Sequence, residues 1–257
     1  ALETLQMLLD RCYQPEKGMA HYLEEGVEEA QLWGMLEDQA AMGLALTAAY
    51  QHSGEGHWLE MARQLSKFCL EHLATEEGCF RDKPVQEGEL GRLAEPLFDL
   101  RNNALCACWF VEMAGLTGEE AYLEKAADIV HSFTDEYRRH PLLSAGLALA
   151  AFGVRETPAV IEVVGEKSDP TLLKLHSTAL AEFVPPKVVK LLSPEQLQEL
   201  KQRGHESREG IAAYACLGFH CFEPAGNPQE LQEVVHKMIK ERRAHVLFTV
   251  KESSKVR

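Results

Sequence analysis

The chain has 257 residues, 46% of them hydrophobic and 26% charged, with a formal net charge of −14. That composition excludes wholesale disorder and a fibrous repeat, and the acidic balance argues against nucleic acid as a partner, because a phosphate backbone would be repelled. No apolar run of about 18 residues is present and the first residues lack a signal-peptide profile, so no membrane contact and a cytoplasmic location are expected.

The first element, Leu2 to Cys12, has the pattern of the last turns of an amphipathic helix and leads into Glu16-Lys17-Gly18. Ala40 to Tyr50 is uncharged and predicts a helix covered on most sides. Next comes Ser53-Gly54-Glu55-Gly56-His57-Trp58-Leu59-Glu60-Met61-Ala62, which reappears as Thr117-Gly118-Glu119-Glu120-Ala121-Tyr122-Leu123-Glu124-Lys125-Ala126. The second copy is likewise preceded by a nearly uncharged run, Ala104 to Leu116, with Glu112 its one charge. Trp58, Met61, Ala62, Leu65, Phe68, Cys69 and Leu73 keep the spacing of one helix face, as do Tyr122, Leu123, Ala126, Ile129, Val130 and Phe133. The repeating unit is therefore a helical hairpin, with an inner helix, a glycine turn and an outer helix. Leu142 to Phe152 reads as a third inner helix. Such an array has apolar ends to cover, so a second copy of the chain or a further toroid portion is the expected partner.

Near residue 155 the period changes. Ala159 to Val164, Lys187 to Leu192 and Ile211 to Cys216 read as strands, each followed by a capping residue and proline: Asp169-Pro170, Ser193-Pro194 and Asn227-Pro228. The expectation is a partial α/α toroid of hairpins over 1–153, then a small three-stranded parallel-sheet α/β domain over 158–240. Residues 241–257 are read as a solvated basic tail, with an edge strand at His245 to Lys251. The last 21 residues hold seven basic and two acidic groups.

Seven cysteines, at 12, 69, 79, 106, 108, 216 and 221, give an odd count scattered through apolar stretches. They read as reduced, buried thiols. Neither a CxxC motif nor a set of zinc ligands is present, and the sequence predicts no metal and no cofactor.

Polar residues gather where the inner helices begin. Trp33, Glu37 and Asp38 precede the first, Asp99, Arg101, Asn102 and Asn103 the second, Arg139 and His140 the third. The repeat places Glu37 opposite Arg101 and Asp38 opposite Asn102. Asp38 and Asp99 are the candidate acid/base groups; Glu37, Arg101, Asn102 and Asn103 are candidate binding groups, and Trp33 a stacking platform for a sugar face. Against this stands helix capping, the ordinary work of Asp and Asn at such positions. His21 and Tyr22 read as surface.

Leu36-Glu37-Asp38, the Ser-Gly-Glu…Trp-Leu turn and Asp99 ahead of Asn103 resemble the thioredoxin-fused proteins that include spermatogenesis-associated protein 20 and bacterial YyaL-like proteins. So do Glu162-Val-Val-Gly165, Asp169-Pro170, Pro185-Pro-Lys-Val-Val189 and Ala213-Tyr-Ala-Cys216 through Cys221 and Pro224. The resemblance spans about residues 1–240. It implies a six-hairpin α/α toroid related to sugar epimerases and glycosidases, a carbohydrate connection, and a thioredoxin-like N-terminal portion absent from these residues. Asp99-Leu-Arg-Asn-Asn103 departs from the family, which has a longer loop before its Asn.

Two functions follow. The one favoured on sequence is a non-catalytic assembly module that completes a toroid with another subunit or an N-terminal portion, since half a ring does not keep a whole pocket. The alternative is a sugar-binding or carbohydrate-active mouth built on the carboxylates. A redox role rests on the resemblance alone.

Overall fold

The computed structural model describes residues 1–85, 88–140, 144–196, 210–218 and 220–253. They divide into two compact units, Ala1–Arg155 and Glu156–Arg257.

In the first unit α1 (Leu2–Cys12) leads into a small antiparallel meander, β1 (Tyr13–Gln14), β2 (Gly18–Tyr22) and β3 (Gln31–Trp33). Two hairpins follow: α2 (Leu36–Ser53) with α3 (Gly56–Phe68), and α4 (Leu100–Thr117) with α5 (Glu120–Ser132). Every boundary of the second hairpin lies 64 positions after its counterpart. The two copies predicted from sequence occupy equivalent corners and repeat their chemistry. Gly54 and Gly118 both end their helices in the left-handed region, with φ of 64° and 75°, where a side chain would strain the turn. Ser53 Oγ donates to Ala49 O, 2.8 Å away, and accepts from Glu55 N; Thr117 Oγ1 donates to Met113 O at 2.8 Å and accepts from Glu119 N.

α3 continues as a π turn, Cys69–Leu73. After α5 come α6 (Thr134–Arg139) and α7 (Ala145–Glu156), the third inner helix; Leu142 and Leu143 of that expectation lie outside the described residues. Small residues let the inner helices approach. A Cβ on Gly43 of α2 would overlap the Trp109 ring of α4. Gly146 and Gly153 of α7 lie over Ala104 and Val111 of α4, where added Cβ atoms would stand 3.3 and 2.8 Å away. The inner helices thus lie in the order α2, α4, α7. α4 buries most of its surface, and Trp109, Phe110 and Met113 are fully enclosed. α2 leaves Ala41, Ala45 and Ala48 exposed along one side.

The second unit is built on a four-stranded sheet in the order β5 (Lys187–Leu192), β4 (Ala159–Val164), β6 (Ala212–Leu217), β7 (His220–Cys221). β4 and β5 are parallel and joined through α8 (Pro170–Ala181), as expected. β6 runs antiparallel to β4, and β7 extends the sheet, so the sheet is mixed rather than parallel and three-stranded. The sequence could not orient β6, because a strand apolar on both faces reads alike in either direction. α8 is capped by Asp169 Oδ1, 2.7 Å from Thr171 N, and α9 (Pro228–Ser253) by Asn227 Oδ1, 3.0 Å from Glu230 N. The helix predicted after Ser193 begins as a short 3₁₀ turn, Pro194–Gln196; its continuation lies outside the described residues.

Two expectations fail here. The tail from residue 241 continues α9 to Ser253, so the edge strand at His245–Lys251 is helix instead. Arg242, within that tail, is 9% exposed rather than solvated. Its guanidinium donates to Pro185 O at 2.8 Å and Thr157 O at 3.0 Å, which holds the helix to the sheet. The second failure concerns the cysteines: Cys216 and Cys221 form a disulfide across β6 and β7, while Cys12, Cys69, Cys79, Cys106 and Cys108 are free thiols.

Candidate functional site

The mouth of the hairpin array is assembled by two buried amides. After Gly18, with φ 71°, the chain runs extended; Met19 N donates to Gln39 Oε1 at 2.7 Å, and Gln39 Nε2 donates to Met19 O at 3.2 Å and Met35 O at 2.9 Å. After Gly78, with φ 89°, Phe80 N donates to Asn103 Oδ1 at 2.8 Å, and Asn103 Nδ2 donates to Phe80 O and Asp99 O, both at 2.9 Å. Gln39 and Asn103 are repeat equivalents, and both are fully buried. Each fixes an extended segment against the start of its inner helix. Two residues beyond each clamped residue come His21 and Asp82.

These segments deliver their side chains to the first turns of α2 and α4. His21 Nδ1 lies 3.0 Å from both Asp38 carboxylate oxygens. Asn102 Nδ2 donates to Asp82 Oδ1 at 2.9 Å. Burial raises the pKa of Asp38; the His21 imidazole opposes that rise, and the charges of Glu37 and Asp82 add to it. Asp38, with an 18% exposed side chain, is thus a shielded carboxyl beside an imidazole 44% exposed. The pairing commits Nδ1 of His21 and leaves Nε2 directed at no protein group among the described residues. An Asp–His pair of this form orients the imidazole, whose far nitrogen can take or give a proton.

The other predicted residues divide. Glu37 and Arg101 do face each other, 3.6 Å apart, but at 47% and 84% exposure the pair is screened. Asn102 joins the mouth through Asp82. Asp99 accepts from Asn102 N at 2.8 Å and so caps α4, the ordinary work set against its acid/base role. Asn103, expected to touch ligand, is enclosed and commits both amide atoms to the backbone. Trp33 lies on β3 with Nε1 donating to Ala30 O at 3.0 Å and the Lys17 ammonium 5.3 Å from its ring centroid. Arg139 and His140 pair locally with Glu136, at 3.0 and 3.9 Å.

Sequence reasoning missed Asp82 and Gln39 and discounted His21. One partial signal was available: Glu16-Lys17-Gly18 and Glu76-Glu77-Gly78 open equivalent segments, but aligning them sets His21 against Arg81 and Tyr22 against Asp82, one position off the register in which Met19 and Phe80 are clamped. Deeper along the helices, Thr47 Oγ1 lies 2.8 Å from Glu112 Oε2 and 3.0 Å from Leu44 O. Burial raises the pKa of Glu112, against the pull of the Thr47 hydroxyl, and burial followed by the Glu112 charge raises that of Cys108 to about 11. Cys108 is therefore a neutral thiol. Among the described residues no group of His, Cys, Asp or Glu is arranged to hold a metal ion, and no helix is long and apolar enough to cross a membrane.

No known family profile matches the chain. It is 25% identical to human spermatogenesis-associated protein 20 over 226 residues, 79% of this chain and 27% of that protein. The rat protein of the same name is 25% identical over 227 residues, covering 80% and 27%. An uncharacterized Caenorhabditis elegans protein is 24% identical over 220 residues, covering 84% and 30%. The chain therefore spans under a third of the length of these relatives. Among solved structures, a family 76 glycoside hydrolase from a bovine Bacteroides thetaiotaomicron strain superposes with a TM-score of 0.47 at 14% identity, over 70% of this chain and 41% of that one.

Proposed function

We propose, from the premise that the chain belongs to the family that includes spermatogenesis-associated protein 20, that its hairpins form part of an α/α toroid whose mouth binds a polyhydroxylated, sugar-like ligand. His21 is the proton-transfer group, Asp38 orients it, and Asp82 with Asn102 supplies further hydrogen bonds to ligand hydroxyls. The observation that carries the reading is the His21–Asp38 pair, 3.0 Å to each oxygen, set beside the Asp82–Asn102 pair on equivalent corners of the repeat. Capping does not account for it, because Asp38 lies inside α2 and its carboxylate bonds an imidazole rather than backbone amides. Relative to the sequence reading, acid/base work moves from the Asp38 and Asp99 pair to His21 and Asp38.

The test is saturation-transfer NMR of the chain with a panel of methyl glycosides. A bound glycoside should be lost in Asp38→Asn and Asp82→Asn, with the thermal midpoint of each variant unchanged. Binding that survives both substitutions would remove the mouth from the account.

The assembly reading keeps one observation of its own. Ala41, Ala45 and Ala48 on α2 are exposed, whereas α4, the next inner helix, is covered on both sides. A further toroid helix or a second copy packing there would complete the array. Light scattering decides between association and a monomer: Ala45→Glu should dissociate a dimer formed through this face, and a wild-type monomer at micromolar concentration would refute self-assembly.

A further inference from the structure

Away from the mouth, a pair of sulfurs lies at the sheet edge of the second unit. Cys216 of β6 and Cys221 of β7 are directly opposed, with Cα atoms 4.1 Å apart and a disulfide between them. β7 is a two-residue edge strand, and both of its residues are exposed. Cys216 is 8% exposed. The remaining buried cysteines, Cys12, Cys69, Cys79 and Cys106, are thiols inside the first unit, where burial closes them to reagents. The one covalent sulfur bond thus sits where a dissolved or protein-borne thiol can reach it.

The surroundings also hold the two sulfurs together without the bond. Phe222 N donates to Ala215 O at 2.9 Å, and Ala213 and Ala225 exchange both backbone hydrogen bonds, at 2.7 and 3.0 Å. His220, between the cysteines, places Nδ1 3.0 Å from Glu241 Oε2 on α9 and stacks on Phe222 with centroids 4.6 Å apart. The cysteines are five positions apart, so their link closes a short loop and removes little chain entropy. Reduction therefore leaves the hairpin standing, with its sulfurs placed to close again.

We propose that Cys216 and Cys221 form a reversible dithiol–disulfide exchange site whose partner is a dithiol reductant. The partner's thiolate attacks Sγ of Cys221, the more exposed residue of the pair; the Cys216–Cys221 bond breaks, and Cys216 leaves as a thiolate that takes a proton from water. The partner's second thiolate then attacks its own sulfur in the mixed disulfide, and Cys221 leaves and is protonated. Two electrons and two protons pass to the chain, and the partner ends as a disulfide. This site is independent of the mouth and of any sugar.

The experiment uses the whole native chain and dithiothreitol as the dithiol. After reduction, maleimide labelling read by peptide mass spectrometry should find Cys216 and Cys221, and leave Cys12, Cys69, Cys79 and Cys106 unmodified. The far-ultraviolet circular dichroism should be unchanged, and oxidised dithiothreitol should restore the disulfide. Labelling of the pair only after denaturation, loss of the circular dichroism on reduction, or two thiols that the oxidant fails to join would each overturn the proposal. In the single variants, Cys221 left by Cys216→Ser should form a mixed disulfide with an aromatic disulfide reagent about tenfold faster than Cys216 left by Cys221→Ser. Equal or reversed rates would overturn the assigned point of attack.

Discussion

Replacing Asn103 by Ala tests how the mouth is built. Its side-chain amide satisfies both Phe80 N and Phe80 O, while the neighbouring ladder, Thr75 N to Cys79 O and Arg81 N to Leu73 O, uses neither. The substitution therefore orphans a buried donor and a buried acceptor together. At about 1–3 kcal/mol for each unsatisfied buried group, with partial relaxation, the expected cost is about 3 kcal/mol. Asp99 O adds nothing, because it still accepts from Asn103 N at 3.1 Å. Gln39→Ala should cost less, about 1–2 kcal/mol. It orphans Met19 N alone, since Met19 O keeps Gly34 N at 2.9 Å and Met35 O keeps Asp38 N and Gln39 N. Urea unfolding followed by circular dichroism measures both. For a unit of this size, 3 kcal/mol is a fall of about 6–12 °C in thermal midpoint. A loss under about 1 kcal/mol for Asn103→Ala, or a larger loss for Gln39→Ala, would refute the clamp and its ranking.

Other outcomes follow from the same packing and electrostatics. Gly43→Ala pushes a methyl into the Trp109 ring and should destabilise by about 1–3 kcal/mol in the same assay. Removing the imidazole with His21→Ala takes away what opposes the burial-driven rise at Asp38, so the Asp38 carboxyl carbon should titrate at higher pH by NMR; a downward shift would contradict the pairing. Glu112 binds its proton more tightly folded than unfolded, so its contribution to stability falls as pH rises from the ordinary glutamate range through its raised folded value. Glu112→Gln should remove that slope and be at least as stable as the parent at pH 7; unfolding curves at acid and neutral pH check it.

The hairpins were legible because each turn demands its own chemistry. A left-handed glycine preceded by a hydroxyl that binds back into its helix cannot be replaced by arbitrary polar residues, so two copies stand out in the sequence. The parallel β4–α8–β5 unit was legible for a similar reason, its Asp169-Pro170 start being local. The orientation of β6 was not, since it depends on tertiary pairing with β4 rather than on any residue within the strand. The meander β1 to β3 escaped notice because strands of two, five and three residues carry too few side chains to show a period of two. His21 and Asp38 are 17 positions apart, and nothing in either residue announces that Gln39 will hold Met19 and bring them together. Arg242 was hidden by its basic neighbours, because charge along the chain does not reveal which guanidinium finds buried carbonyls.

The claim on which the functional account rests is that ligand enters at the starts of α2 and α4. Amide chemical-shift mapping measures this most directly, with the methyl glycoside of strongest saturation transfer titrated into the ¹⁵N-labelled chain. The account predicts the largest shifts at Ala20 to Tyr22, Glu37, Asp38, Asp82 and Asn102. Shifts confined to the outer helices α3 and α5, or to the sheet of the second unit, would contradict it.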